Sequence, residues 1–327
     1  FHGLAAKSGS QTVANCASCH GVHNILPSSD PASMISPANL PKTCGKCHPG
    51  AGSRFVIGKM HWVEGKAEPA PVRMARLFYI VIIPLTLGLM FLHHFGDYLR
   101  KLIRLRLRPA PVAVARYASI PTKADLEMRM FLAERIQHAL LVVSFVVLVW
   151  TGFALKYPDG WWAKPMILWE AQWPVRGTIH RIAAVVMMAA AVVHVITLIV
   201  SRKLRHHWVE LFPRGEDAIQ ALQMLLYNLG LREKKPVVSA HSYVEKAEYW
   251  AVVWGTFIMG LTGLMLWFNR YTLAWLPKEW LDVATAVHFY EAVLASLAIL
   301  IWHFYTVILD PDVYPVDPAW LTGYSVR

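Results

Sequence analysis

The sequence predicts an all-α membrane protein of five transmembrane helices, preceded by a small, loop-rich segment on the outer side of the membrane. Three observations predict it. Of the 327 residues, 56% are hydrophobic and only 16% charged, an apolar share above that of soluble domains, and the mean hydropathy is +0.38. Apolar runs of about 20 residues, the length that crosses a bilayer, recur after residue 76. The Lys and Arg behind the +11 net charge collect in the gaps between those runs. That placement speaks against a nucleic-acid surface, which needs basic residues interleaved with stacking aromatics on a soluble face.

The first 70 residues are rich in Gly, Pro, Ser and Ala, with few periodic apolar positions. They hold all four cysteines of the chain, in Cys16-Ala-Ser-Cys19-His20 and Cys44-Gly-Lys-Cys47-His48. Each motif reads as a covalent c-type haem site. Two thiols on one turn of backbone form thioethers to the porphyrin vinyl groups, and the adjacent histidine, His20 or His48, swings under the iron as proximal ligand. A disulfide pair or a four-thiolate zinc site leaves the histidine after each pair unexplained. Bound haem then replaces the core that such a segment cannot build alone. Haem c attachment places the segment outside the cytoplasm. Because Phe1 is not a Met start, a removed signal or further upstream sequence is expected. Candidates for the sixth iron ligands are His2, His23 and His61.

The spans are expected at about 77–98, 136–155, 179–200, 249–268 and 283–309. After the first come Arg100, Lys101, Arg104, Arg106, Arg108 and Arg116; after the third come Arg202, Lys203, Arg205 and Arg214. Basic loops stay in the cytoplasm, so the haem c segment lies outside and the C-terminus inside. Between the third and fourth spans, 215–231 carries apolar residues at helical spacing behind two acids, as an amphipathic helix on the cytoplasmic surface does.

An ionisable residue at membrane depth is costly and needs a partner, and a haem iron is a common one. The spans hold His93, His94, His138, His180, His194, His288 and His303. Counted from the span ends, His180 and His288 lie near the outer face and the others near the cytoplasmic face. His288 and His303 are fifteen residues apart on one helix, roughly 22 Å along its axis and within about 60° of one stripe. One helix can thus serve two stacked haems. His93 and His94 point about 100° apart and read as a polar pair near the interface.

From about 134 to 323 the sequence resembles the cytochrome b subunits of formate dehydrogenases and nickel-iron hydrogenases. The matching pieces are Arg135-Ile-Gln-His138 and Thr151-Gly152 on the second span and His180-Arg181 on the third. Glu245-Lys246, Tyr249-Trp250 and Thr262-Gly263 match on the fourth, and His288 and His303-Phe-Tyr305 on the fifth. The resemblance implies two b-haems: an outer one between His180 and His288 and a cytoplasmic-side one between His138 and His303. His194 is left over, at the depth to replace His138 or His303 as a ligand or to join a histidine of the first span around a third haem b. The family exchanges electrons with a quinone beside its cytoplasmic-side haem, using an Asn whose position Ser242 takes here, shortly before Glu245; His241 replaces a usual Tyr.

Three domains follow: 1–70, an extracytoplasmic di-haem c segment; 71–127, the first span and its basic loop; and 128–327, a four-helix di-haem b domain. The expected function is electron transfer in a bacterial inner membrane between periplasmic c-haems and the quinone pool. Expected partners are membrane lipid, quinone, and periplasmic or extracellular multihaem cytochromes, with no nucleic acid. The rival reading is a membrane anchor that serves the catalytic subunit of a hydrogenase or dehydrogenase. No nucleophile triad, phosphate loop or paired carboxylates compete for an active site.

Overall fold

The computed structural model describes residues 14–48, 51–53, 56, 68–107, 126–169, 174–237 and 241–326. Among them, five helices are long and apolar enough to cross a membrane: α3 (Ala70–Leu107), α4 (Leu132–Lys156), α6 (Val175–Val200), α9 (Tyr243–Trp267) and α11 (Lys278–Ala298), which continues as π-helical turns to Leu309. The shorter helices are α1 (Cys16–His20), α2 (Leu40–Gly45), α5 (Lys164–Ile167), α7 (Arg202–Val209), α8 (Gly215–Asn228), α10 (Asn269–Trp275) and α12 (Ala319–Thr322). The long helices leave whole apolar faces bare, including Val81, Leu85 and Leu89 of α3 and Trp254, Phe257 and Leu261 of α9. Faces of that extent need lipid to cover them, and the chain is an all-α membrane protein.

The chain divides into two units, one of residues 1–79, 146–185 and 258–291, the other of 80–145, 186–257 and 292–327. In the first, residues 14–48 bury Ser33, Ser36 and Thr43 and no apolar side chain. Side-chain to backbone hydrogen bonds do the folding there: Thr43 Oγ1 donates to Met34 O at 2.7 Å, and Asn39 Nδ2 to Pro31 O at 2.8 Å. The membrane part of this unit packs Ala154, Ala163 and Met166 together.

In the second unit, β1 (Leu126–Met128) pairs antiparallel with β2 (Tyr324–Val326). Gly323 precedes β2 at φ +90°, and a Cβ there would stand 2.7 Å from Met130 O, so only glycine fits. The fourth helix begins six residues before the predicted span, because its charged first turns are paired. Lys246 Nζ meets Asp217 of α8 at 2.8 Å with both groups buried, and Glu245 takes Arg129 at 3.0 Å. α8 covers 215–228, matching the expected amphipathic helix.

Candidate functional site

Each of the two cysteine motifs lies on one turn of backbone. Asn15 caps α1, its side chain accepting from Ser18 N, so Cys16 and Cys19 share one helical turn and His20 follows. Gly21 then turns the chain at φ +80°. In the second motif the backbone of Cys47 and His48 donates to Cys44 O at 3.2 and 2.9 Å, again one turn. All four thiols are free, with Cys16 and Cys47 exposed. Burial, and then the nearby Cys19, pushes the Cys44 thiol up from its ordinary value. His23 is exposed, and His2 and His61 lie outside the described residues.

In the same unit His180 and His288 face each other with ring centroids 6.2 Å apart. Each Nδ1 lies 2.9 Å from a threonine hydroxyl, Thr151 for His180 and Thr262 for His288. Both hydroxyls give their own proton to the carbonyl four residues back, Val147 and Ile258, at 2.7 Å. The hydroxyl must therefore accept from Nδ1–H, which leaves Nε2 as the basic nitrogen of each ring. Beside each threonine sits a glycine. A Cβ on Gly152 or Gly263 would come 3.3 Å from Cε1 of His180 or His288 and would press on the imidazole.

In the other unit His138 and His303 stand 6.3 Å apart by ring centroids. Here the hydrogen-bond partner is a carboxylate: His303 Nδ1 lies 3.2 Å from Glu248 Oε2, and Thr306 Oγ1 donates to Glu248 Oε1 at 3.2 Å. His138 Nδ1 has no partner among the described residues.

A metal–imidazole bond of about 2.0 Å, plus the half-width of each ring, sets two trans imidazoles roughly 6 Å apart between centres. Both pairs meet that separation. Among the described residues no group of three or more His, Cys, Asp or Glu is set to hold a metal ion. Two opposed imidazoles with no further protein donor suit a macrocycle that brings its own four nitrogens, and the residues present fit haem b.

Both ring nitrogens of His194 are engaged. Nδ1 donates to Gln137 Oε1 at 2.8 Å, and Nε2 accepts from the Tyr249 hydroxyl at 2.9 Å. Trp208 Nε1 donates to the same hydroxyl at 2.6 Å. The chain spacing explains this closure. His138 precedes Thr151-Gly152 by thirteen residues, and Tyr249 precedes Thr262-Gly263 by thirteen. His194 follows His180 by fourteen and His303 follows His288 by fifteen, the extra residue falling where Ile299–His303 forms a π-helical turn. The four helices thus repeat a helix pair. Tyr249 and His194 occupy the counterpart of the His138/His303 position and seal it with a hydrogen bond.

Ser242 and Glu245 cap α9: Ser242 N and Oγ donate to Glu245 Oε2, and Val244 N donates back to Ser242 Oγ at 3.2 Å. Next to them an open cleft of about 690 Å³ is lined by Met128, Phe131, Lys203, His207, Glu210 and His241. His207 Nδ1 lies 2.9 Å from Glu134 Oε1 and its Nε2 lies 3.0 Å from His241 Nε2. The Glu134 hydrogen bond holds the His207 imidazole above its ordinary pKa, while burial and the neighbouring His207 push His241 down.

Glu248 is the side chain that sequence reasoning did not single out, and Thr151, Thr262 and Tyr249 entered it as family-matching positions without a role. The signal for the threonines was present in the repeated Thr-Gly. No curated protein matches the chain. The family model of the prokaryotic cytochrome b561 matches residues 129–314, more than half of the chain, which therefore belongs to this family of membrane cytochromes that bind haem b in transmembrane electron transfer.

Proposed function

We propose that this cytochrome exchanges electrons between two covalent c-haems outside the membrane and a quinone near its cytoplasmic face, through two b-haems held by His180/His288 and His138/His303. The carrying observation is the two pairs of neighbouring imidazoles, with ring centroids 6.2 and 6.3 Å apart. Haem supplies reversible one-electron chemistry when bound. The chain supplies position. Cys16/Cys19/His20 and Cys44/Cys47/His48 hold the outer centres, and Thr151 and Thr262 orient the imidazoles of the outer pair. Glu248, as an anionic partner to His303 Nδ1, makes that ligand more basic and favours the oxidised iron.

Fifteen residues on the fifth span separate His288 from His303, about 22 Å at the ordinary helical rise, the spacing that two haems stacked along one helix would need. With Arg100–Arg106 and Arg202–Arg214 in the cytoplasm, the c-haem segment lies in the periplasm and the C-terminus inside. We leave His194 out of the ligand set on the strength of its hydrogen bonds to Gln137 and Tyr249, which favours two b-haems over three. The quinone belongs at the apolar and cationic cleft beside the Ser242/Glu245 cap. There Met128 and Phe131 offer apolar contacts to the quinone ring, and Lys203 offers a donor to a carbonyl oxygen.

The test is a pyridine haemochrome assay on purified protein, followed by reduction with a quinol analogue. Two c-type and two b-type haems per chain, with the b bands bleaching under added quinone, is the expected result. A single b-haem, or b-haems inert to every quinone, would remove the proposal.

A further inference from the structure

α3 lies outside the stretch that the family matches, and one of its faces is polar at membrane depth. His93, Asp97, Lys101 and Arg104 follow one another at intervals of four, four and three residues, so they form a single stripe. At the basic end of the helix Lys101 Nζ reaches Asp97 at 2.6 Å, Asp310 at 2.7 Å and Asp312 at 3.3 Å, and Arg104 reaches Asp312 at 3.0 Å. The Tyr305 hydroxyl donates to Asp97 at 2.6 Å, and Lys235 also faces this carboxylate. Side-chain exposure is 58% at Arg104 and 36% at Asp312 but only 11% at Lys101 and 15% at Asp97. The stripe therefore runs inward from the surface.

One turn deeper, His94 is 5% exposed, its ring 4.4 Å from those of Trp302 and Tyr305. His93 Nε2 bonds the Tyr243 hydroxyl at 2.7 Å, and Tyr243 follows Ser242 at the start of α9. Four buried polar atoms here have no partner among the described residues: His93 Nδ1, His94 Nε2, Trp302 Nε1 and Asn228 Oδ1. Asn228 is 7% exposed and its Nδ2 donates to His93 O at 3.1 Å. Pure packing does not leave such a set of buried donors and acceptors unpaired; water is their usual partner. Rings 4.4 to 5.5 Å apart leave no space between them for an aromatic head group, whereas water needs only a few polar neighbours.

We propose that this face of α3 is a hydrated proton relay, running from Lys101 and its carboxylate partners through Asp97, His94 and His93 to the Tyr243 hydroxyl, that connects cytoplasmic water with the quinone. The assignment rests on the quinone reading above. Reducing one quinone takes two electrons, delivered through the b-haems, and two protons, drawn from cytoplasmic water along the relay; quinol oxidation returns both by the same routes. Each imidazole accepts a proton at one nitrogen and releases one at the other. In His93, Nε2 bonds the Tyr243 hydroxyl and Nδ1 has no partner among the described residues.

The experiment uses the full chain in liposomes containing a quinone, with a membrane-impermeant reductant on the c-haem side and a pH dye on the other. Asp97→Asn and His93→Gln are compared with wild type, and Tyr243→Phe serves as the variant that removes only a hydroxyl. Expected are a roughly tenfold or greater slowing of quinone reduction and of dye-reported proton uptake and a larger solvent deuterium effect, with both b-haems bound and reduced at the wild-type rate. Wild-type turnover in Tyr243→Phe and Asp97→Asn would overturn the relay, and loss of a b-haem in His93→Gln would overturn it by assigning His93 to iron. If the wild type itself reduces no quinone, the quinone reading fails first and takes the relay with it; if only the variants match the wild type, the relay alone fails.

Discussion

The hydroxyl of Thr151 takes the Nδ1 proton of His180 at 2.9 Å while giving its own to Val147 O at 2.7 Å, so a single side chain sets both the tautomer and the plane of the imidazole. Thr262 does the same for His288. Thr151→Val keeps the shape and removes the bond, and loss of such an outer partner typically weakens metal-site affinity about 10- to 100-fold. The expected outcome is selective loss of one b-haem on washing with apomyoglobin, read as a b-to-c haem ratio falling from one to one half. Gly152→Ala should act in the same direction, because its Cβ would stand 3.3 Å from Cε1 of His180. An unchanged ratio in both variants would separate the Thr-Gly pair from haem binding.

The second pair differs in its partner. Glu248 places a carboxylate on His303 Nδ1, where the outer pair has neutral hydroxyls. Glu248→Gln removes the charge and keeps the shape. The midpoint potential of that haem should rise by about 60 mV, equivalent to roughly 1.4 kcal/mol for a one-electron couple, with the outer haem unmoved. Spectroelectrochemical titration checks it, and a fall in potential would reverse the assigned role.

The five spans were legible as apolar runs, and the histidines of the two pairs as ionisable residues at membrane depth. Their second partners were not. Glu248 falls one residue before the apolar run that begins at Tyr249, so it reads as a charged flank until the fold shows its carboxylate on His303. His194 has the depth of a ligand, and only the approach of Gln137 and Tyr249 from two other helices reveals that its nitrogens are spent. His93 and His94 read as an interfacial polar pair, yet His94 is buried, because Trp302 and Tyr305 on the fifth helix close over it. Such pairings depend on how helices rotate against each other, which hydropathy does not encode.

His207 offers a test by pH. Its folded pKa is raised by the Glu134 hydrogen bond from an ordinary value of 6.5. A raised imidazole stabilises the fold fully below the unfolded value and loses that contribution as pH rises through the folded one. His207→Gln should therefore cost on the order of 1 to 2 kcal/mol at pH 5.5 and much less at pH 9, read from melting curves at both. An equal cost at the two pH values would mean that the contact is not ionic.

The c-haem motifs are tested by covalent haem alone. Cys19→Ala or Cys47→Ala should each halve haem-stained intensity in denaturing gels while leaving the b-type absorbance in the membrane. Full staining in either variant would refute attachment at that motif.

Transmembrane electron flow is the central claim, and membrane voltage reports it most directly. In sealed vesicles containing quinone, with the c-haem side facing out and an impermeant reductant outside, each electron crosses the bilayer and builds an inside-negative potential, worth about 2.3 kcal/mol per charge at 100 mV. A voltage-sensitive dye should record that potential in step with quinone reduction, and an uncoupler should accelerate turnover. Quinone reduction with no voltage signal, at a rate indifferent to the uncoupler, would contradict the account and put the quinone on the same side as the c-haems.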